Sequence, residues 1–386
     1  MTDLQDVLDG SVAEGDLPFV VGMVADSGGV LFSGQAGEAS PGRPAREDTV
    51  FRLFSMTKAV ASIAATILVD RGQLDPDATV ESILPDFARI QVLEGFDGST
   101  PRLRPPRVKA TVRHLATHRS GLEYDFWCPE MVTFFAETKH PPTLSGRREA
   151  LFCPMQAEPG TRWGYGPSTD WLGWVVEAVA GRDVVRFCQE EIFDPLGMPD
   201  TVFESRPDQS ARLASVSLRG ADGRFAPIDV GPPSQPEFYG MGHALYGTAP
   251  DYVRLLRMVL NGGSLDGRRI LSERAVAFFL ADQMEGRTFR PMIASSPLSA
   301  DFDPFPGARV THGFGALRNE EDVPGRRRAG SQAWAGVLNT HFWFDPASDL
   351  AGVFMTQSLP FVEPRYLARY EQFERAAYDA KAARSN

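Results

Sequence analysis

The spacing of apolar residues shifts repeatedly along the chain, and each shift predicts a change of element. Leu4, Val7, Leu8 and Val12 recur at the spacing of one helix face. Residues 19–25 and 30–35 are two apolar runs separated by Asp26-Ser27-Gly28-Gly29, which predicts two strands joined by a tight turn. From Ala59 to Val69 almost every position is apolar, so a helix there has no polar face and must be buried, with Gly72 placed to cap it. Residues 73–118 read as short helices and loops, broken at Asp75-Pro76-Asp77 and Leu84-Pro85-Asp86, with 95–107 as a surface excursion and 111–117 as a helix.

Leu172, Val175, Val176 and Val179 predict a helix that starts near Ser168 and ends at Gly181. A further helix is expected over 183–192, then a turn at 194–198 and a long loop over 205–247. Thr248 predicts an N-cap with Asp251 as its reciprocal partner, and Ser272 caps a helix over 275–280. Residues 287–310 are Pro-rich and expected to cover a site. Strands are predicted at 313–317, 334–344 and 350–357, and an amphipathic helix at 366–383. Strands at both ends around a helical middle predict a sheet domain interrupted by an insertion.

Composition removes several functions. The net charge is −11 with no long basic run, which disfavours nucleic acid as a partner; Arg326-Arg327-Arg328 reads as a solvated loop. No run approaches the ~20 apolar residues of a membrane span. The N-terminus, Met1-Thr2-Asp3-Leu4, is acidic and has no apolar leader core, so the expectation is a cytoplasmic protein with no membrane partner; oligomeric state is left open. Cys128, Cys153 and Cys188 form no C-x-x-C pair and read as reduced and mostly buried.

The candidate chemistry begins at Ser55. Ser55 and Lys58 are three apart at the head of the apolar helix, so both side chains share a face. The chain has four lysines, and only Lys58 follows a serine at this spacing. Lysine, unlike arginine, can lose its proton, and burial disfavours the charged form. A lysine here can therefore act as the base that a serine nucleophile needs, or it can be a helix-start lysine that snorkels to water. His114 and His118 have metal-ligand spacing but lack the glutamate of H-E-x-x-H and any third ligand, so no metal and no cofactor are expected. Tyr124, Phe126 and Trp127 suit a pocket wall or an ordinary core. A G-x-S-x-G elbow is absent.

Several separated segments together resemble one family. Ser55-Met56-Thr57-Lys58 is similar to the nucleophile motif of serine β-lactamases and penicillin-binding proteins. Residues 112–122, Pro159-Gly160-Thr161 through Tyr165, and Asp194-Pro195-Leu196-Gly197-Met198 follow the order of the class C-like group, most nearly family VIII carboxylesterases. The resemblance implies an α/β (α+β) fold, an antiparallel sheet flanked by helices with a large, mainly helical insertion. Residues 1–52 with 310–386 would form the sheet domain, and 53–309 the helical domain with site-covering loops.

It also implies roles: Ser55 as acylated nucleophile, Lys58 as base, Tyr165 as the group that shares the proton, and the backbone N–H groups of Ser55 and Val337 as oxyanion hole. Trp334, Ala335 and Gly336 fall where β-lactamases carry K-T-G, and Pro167 falls where they carry the Asn of Y-x-N. Both departures remove polar recognition of a β-lactam. Tyr124, Trp127, Tyr239 and His243 complete the expected substrate-binding set. The implied activity is hydrolysis of small to medium carboxylic esters through a Ser55 acyl-enzyme. The alternatives are a β-lactamase, a D-amino peptidase or amidase, an acyltransferase, and an inactive penicillin-recognising binder.

Overall fold

The computed structural model describes residues 3–385. Its centre is an eight-stranded antiparallel sheet built from the two ends of the chain. The strands are β1 (Phe19–Ala25), β2 (Val30–Ser40), β3 (Arg43–Pro44), β4 (Val310–His312), β5 (Leu317–Asn319), β6 (Gln332–Gly336), β7 (Thr340–Asp345) and β8 (Leu350–Met355). Their order across the sheet is β4-β5-β6-β7-β8-β1-β2-β3. The unbroken apolar run of β1 follows from burial on both faces. Phe19, Val21 and Met23 face the main core, while Val20 and Val24 face a second core with the terminal helices α1 (Leu4–Ala13) and α5 (Pro364–Ser385).

On the main-core side lie α2 (Thr57–Asp70), α3 (Ser168–Ala180) and α4 (Ala249–Leu260). Every residue of α2 from Thr57 to Leu68 is buried, as its lack of a polar face requires. It packs on α3, while α4 packs on β1 and β8. No helix among the described residues is long and apolar enough to cross a membrane. All three cysteines are free and buried.

Local expectations fail where turn geometry or a distant partner decides. Residues 334–344 are not one strand: Asn339 turns the chain at φ 62°, and its side chain ties that turn to Ser358, Pro360 and Val362. Residues 313–316 are the turn between β4 and β5, closed by Gly313 N–H to Ala316 C=O at 2.9 Å. The excursion at 95–107 belongs to a hairpin of Val92–Asp97 and Thr100–Arg104, and the loop at 205–247 carries another, Val216–Arg219 with Phe225–Ile228. Asp194–Leu196 continues helically before Gly197 ends it at φ 62°.

Thr248 does cap α4, but the Asp251 carboxylate turns away to accept from Asp200 N–H and Thr201 Oγ1. Arg326 and Arg327 are buried rather than solvated, because Glu374 on α5, fully buried, pairs with both at 2.7 and 2.6 Å. That partner lies 47 positions from Arg327 and leaves no local trace.

Candidate active site

Ser55 does not sit in α2 itself. It lies in a 3₁₀ turn, Phe54–Met56, that runs straight into the helix. Side chains three apart eclipse in such a turn, so the spacing to Lys58 still brings the two together. The turn is anchored on all sides. Leu53 N–H donates to Leu245 C=O, Tyr252 OH to Met56 C=O, and Leu245 N–H to Thr57 Oγ1. Phe54 is held at φ 44°, a left-handed conformation costly for a bulky side chain, which the surrounding contacts must sustain.

Lys58 is 2% exposed. Its Nζ lies 3.2 Å from Ser55 Oγ, 3.3 Å from Tyr124 OH and 2.8 Å from Gly242 C=O. Tyr165 stands beside it with its ring centroid 4.8 Å from Nζ, while its hydroxyl accepts from Trp334 Nε1 at 3.1 Å. The hydroxyl bonded to the lysine is thus that of Tyr124, which sequence reasoning placed only in the pocket wall. Burial, with the nearby Asp170, raises the Tyr124 hydroxyl well above its ordinary pKa, so it stays protonated.

Gly336, at the end of β6, lies against the nucleophile turn; a Cβ there would strike Leu53 C=O and Thr340 Oγ1. This approach brings the next residue, Val337, to the cavity that Ser55 opens into. Neither the Ser55 nor the Val337 backbone N–H has a hydrogen-bond partner among the described residues.

The cavity measures about 260 Å³. Ser55, Tyr124, Trp127, Tyr165, His243 and Val337 line it. Phe126 lines it beside Tyr124 and Trp127; Phe54, Asp125, Pro142, Thr143 and Leu144 line it too, and nothing in their local sequence marked them. The loop over 287–310 braces this wall: Ser295 N–H donates to Phe126 C=O at 2.7 Å, and Trp127 Nε1 to Ser299 Oγ at 3.2 Å.

Other expected binding residues stand back. Trp334 and Ala335 line a separate cavity toward α5. Pro167 is the buried residue before α3, and Tyr239 donates to Glu204 Oε1 at 3.1 Å, away from the Ser55 cavity. His114 caps its own helix start through Thr111, while His118 packs 4.9 Å from the Tyr165 ring. Burial holds the His118 imidazole well below its usual pKa, hence neutral.

The arrangement is a serine beside a buried lysine, with two free N–H groups in reach of one cavity, and it matches a known family along nearly the whole chain. The beta-lactamase family model covers residues 4–377. The chain belongs to the beta-lactamase family. It is 34% identical over 350 residues to the lovastatin esterase of Penicillium rubens, covering 86% of this chain and 85% of that one. It is 33% identical over 348 residues to the monacolin J acid methylbutanoyltransferase of Aspergillus terreus, covering 87% and 83%. The unliganded structure of simvastatin synthase from Aspergillus terreus superposes with a TM-score of 0.83 at 29% identity, covering 97% of each chain. This beta-lactamase-family chain is an enzyme of the serine-hydrolase class, and its relatives include esterases and acyltransferases.

Proposed function

We propose that this enzyme acts on small to medium carboxylic esters through an acyl-enzyme on Ser55. Lys58 carries the reading: a buried amine with Nζ 3.2 Å from Ser55 Oγ and hydroxyl and carbonyl groups as its other partners. Lys58 takes the Ser55 proton as Oγ attacks the ester carbonyl. Tyr124 and Tyr165 are the hydroxyls beside it, suited to passing the proton on to the leaving alcohol. The Ser55 and Val337 N–H groups stabilise the oxyanion as it forms.

The cavity supports a neutral substrate. Its wall is mainly aromatic and aliphatic, Asp125 is its one carboxyl group, and no arginine lines it among the described residues. A β-lactam carboxylate would find no cationic clamp there, because Trp334 and Pro167 occupy the motif positions that would recognise it. The mainly apolar wall, together with the transferase relative, supports transfer of the acyl group to an alcohol as a second outcome of the same acyl-enzyme. An inert binding protein would have no use for the serine–lysine pair.

A panel of p-nitrophenyl esters, run beside a chromogenic cephalosporin and with and without an added alcohol, tests the reading. Ester kcat/KM should exceed cephalosporin kcat/KM by a wide margin, and a fluorophosphonate should label Ser55. The reverse ranking, or a label on another serine, overturns it.

A further inference from the structure

We infer that His243, oriented by Asp170, is the base that activates the acceptor, water or alcohol, when the acyl group leaves Ser55; this rests on the acyl-enzyme reading above. Asp170 lies in the first turn of α3 with its side chain fully buried. Its Oδ1 accepts from Gly242 N–H at 2.8 Å and lies 3.5 Å from His243 Nδ1. Among the described residues, neither Nδ1 nor Asp170 Oδ2 has a hydrogen-bond partner. Burial works to raise the carboxyl, but His243, Lys58 and the Gly242 N–H outweigh it and hold the group below the usual carboxylate range, hence ionised.

An ionised carboxylate beside Nδ1 selects the Nδ1–H tautomer, which leaves Nε2 as a lone-pair acceptor. His243 lines the cavity with Ser55, and Nε2 makes no hydrogen bond to any described residue. The glycines around the pair make room for it. A Cβ at Gly240 would collide with the imidazole, and one at Gly242 would stand 2.8 Å from Asp170 Oδ2. His243 also follows the residue whose carbonyl binds Lys58, so its ring and the nucleophile are set by one backbone segment.

The step balances on the dyad alone. The acceptor oxygen forms its bond to the acyl carbon while its proton passes to Nε2. Collapse breaks the carbon–Oγ bond, and the same proton passes from Nε2 to Ser55 Oγ. Both oxygens are bonded to one tetrahedral carbon at that moment, so one imidazole serves both. Free serine and an acid or a new ester result. Lys58 then serves acylation and His243 serves deacylation.

The test separates the two half-reactions in the full chain with p-nitrophenyl butyrate. Wild type must first show a Ser55-bound butyryl group; if it does not, the acyl-enzyme reading itself has failed. In His243→Gln and His243→Ala, with an unchanged thermal transition, the nitrophenol burst should persist while steady-state turnover falls about 100-fold or more. Butyryl-Ser55 should then accumulate. Added imidazole should restore turnover in His243→Ala, which a merely structural role would not allow. Asp170→Asn keeps an oxygen for the Gly242 N–H but loses the tautomer selection, so it should slow deacylation in the same sense. Equal loss of burst and steady-state rate, or no imidazole rescue in a folded variant, overturns the assignment.

Discussion

Between α5 and the sheet, Arg326 and Arg327 are buried together against Glu374, Arg326 also lies 3.4 Å from Glu371, and Tyr370 OH accepts from Arg327 at 2.6 Å. At the Ser55 cavity, Lys58 is as deeply buried, yet its hydrogen-bond partners are two hydroxyls and a carbonyl. The first site closes its charges into pairs. Breaking such a pair leaves an uncompensated buried charge, so the cluster locks α5 to the sheet. The second keeps an amine among neutral hydrogen-bond partners, with Ser55 Oγ in reach of its nitrogen. Asp170, near it, keeps one carboxylate oxygen with no hydrogen-bond partner among the described residues. Buried charges closed into ion pairs mark structure here, and a buried amine left with only neutral partners marks chemistry.

The comparison breaks first at Lys58. Lys58→Arg keeps the charge but cannot act as a base near neutral pH. It should fold and lose about 10²–10⁴ in kcat, since that is the range for general-base catalysis. A steady-state assay beside a thermal melt checks this. Glu374→Gln should do the reverse: about 3–5 kcal/mol less stable, with kcat of the folded fraction retained.

Acid sharpens that contrast. Burial raises the Glu374 carboxyl, but Arg327 and Arg326 outweigh it and hold the pKa below its ordinary value. Its stabilisation is therefore present above the unfolded carboxylate pKa, and it is lost as pH falls through the folded value. Wild type should lose stability on acidification below about pH 4.5, near where a free glutamate titrates. Urea titrations across that range should show a shallower slope for Glu374→Gln.

How much of this could be read in the sequence follows the same division. The Ser55–Lys58 spacing is local, and it survives even though the turn is 3₁₀ rather than α-helical. The burial of α2 was also legible, because its few polar residues form no continuous polar face. The hairpin at 332–345 was not, since Gly336 reads as part of the strand it ends, no proline follows, and Asn339 takes the left-handed conformation at the turn. Tyr124 on Lys58, Glu374 on Arg327 and Asp170 beside His243 are contacts 66, 47 and 73 positions apart. Their sequence neighbourhoods carry no periodic or motif signal for them.

Smaller effects test the rest. Val337→Pro, if its thermal transition holds, removes one proposed oxyanion donor and should cost about 2.7–4 kcal/mol in transition-state stabilisation with KM little changed. Normal kcat in that variant would place the second donor elsewhere. Burial and the neighbouring Asp200 push Asp251 up to about 6, against the hydrogen bonds it accepts from Thr201 and Asp200. A raised acid binds protons more readily folded than unfolded, so it lowers stability as pH rises from about 4 to about 6. Asp251→Asn should remove that slope, gaining about 1–3 kcal/mol at pH 8 relative to pH 4, read by chemical denaturation at both values.

The central claim is that Ser55 carries the acyl group, and rapid-quench mass spectrometry with a p-nitrophenyl ester tests it most directly. The account predicts that the peptide containing Ser55 gains the mass of the acyl group within the burst. It should lose that mass when an alcohol acceptor is added, and Lys58→Arg should not gain it on the same timescale. Acylation of another residue, or wild-type acylation in Lys58→Arg, would contradict it.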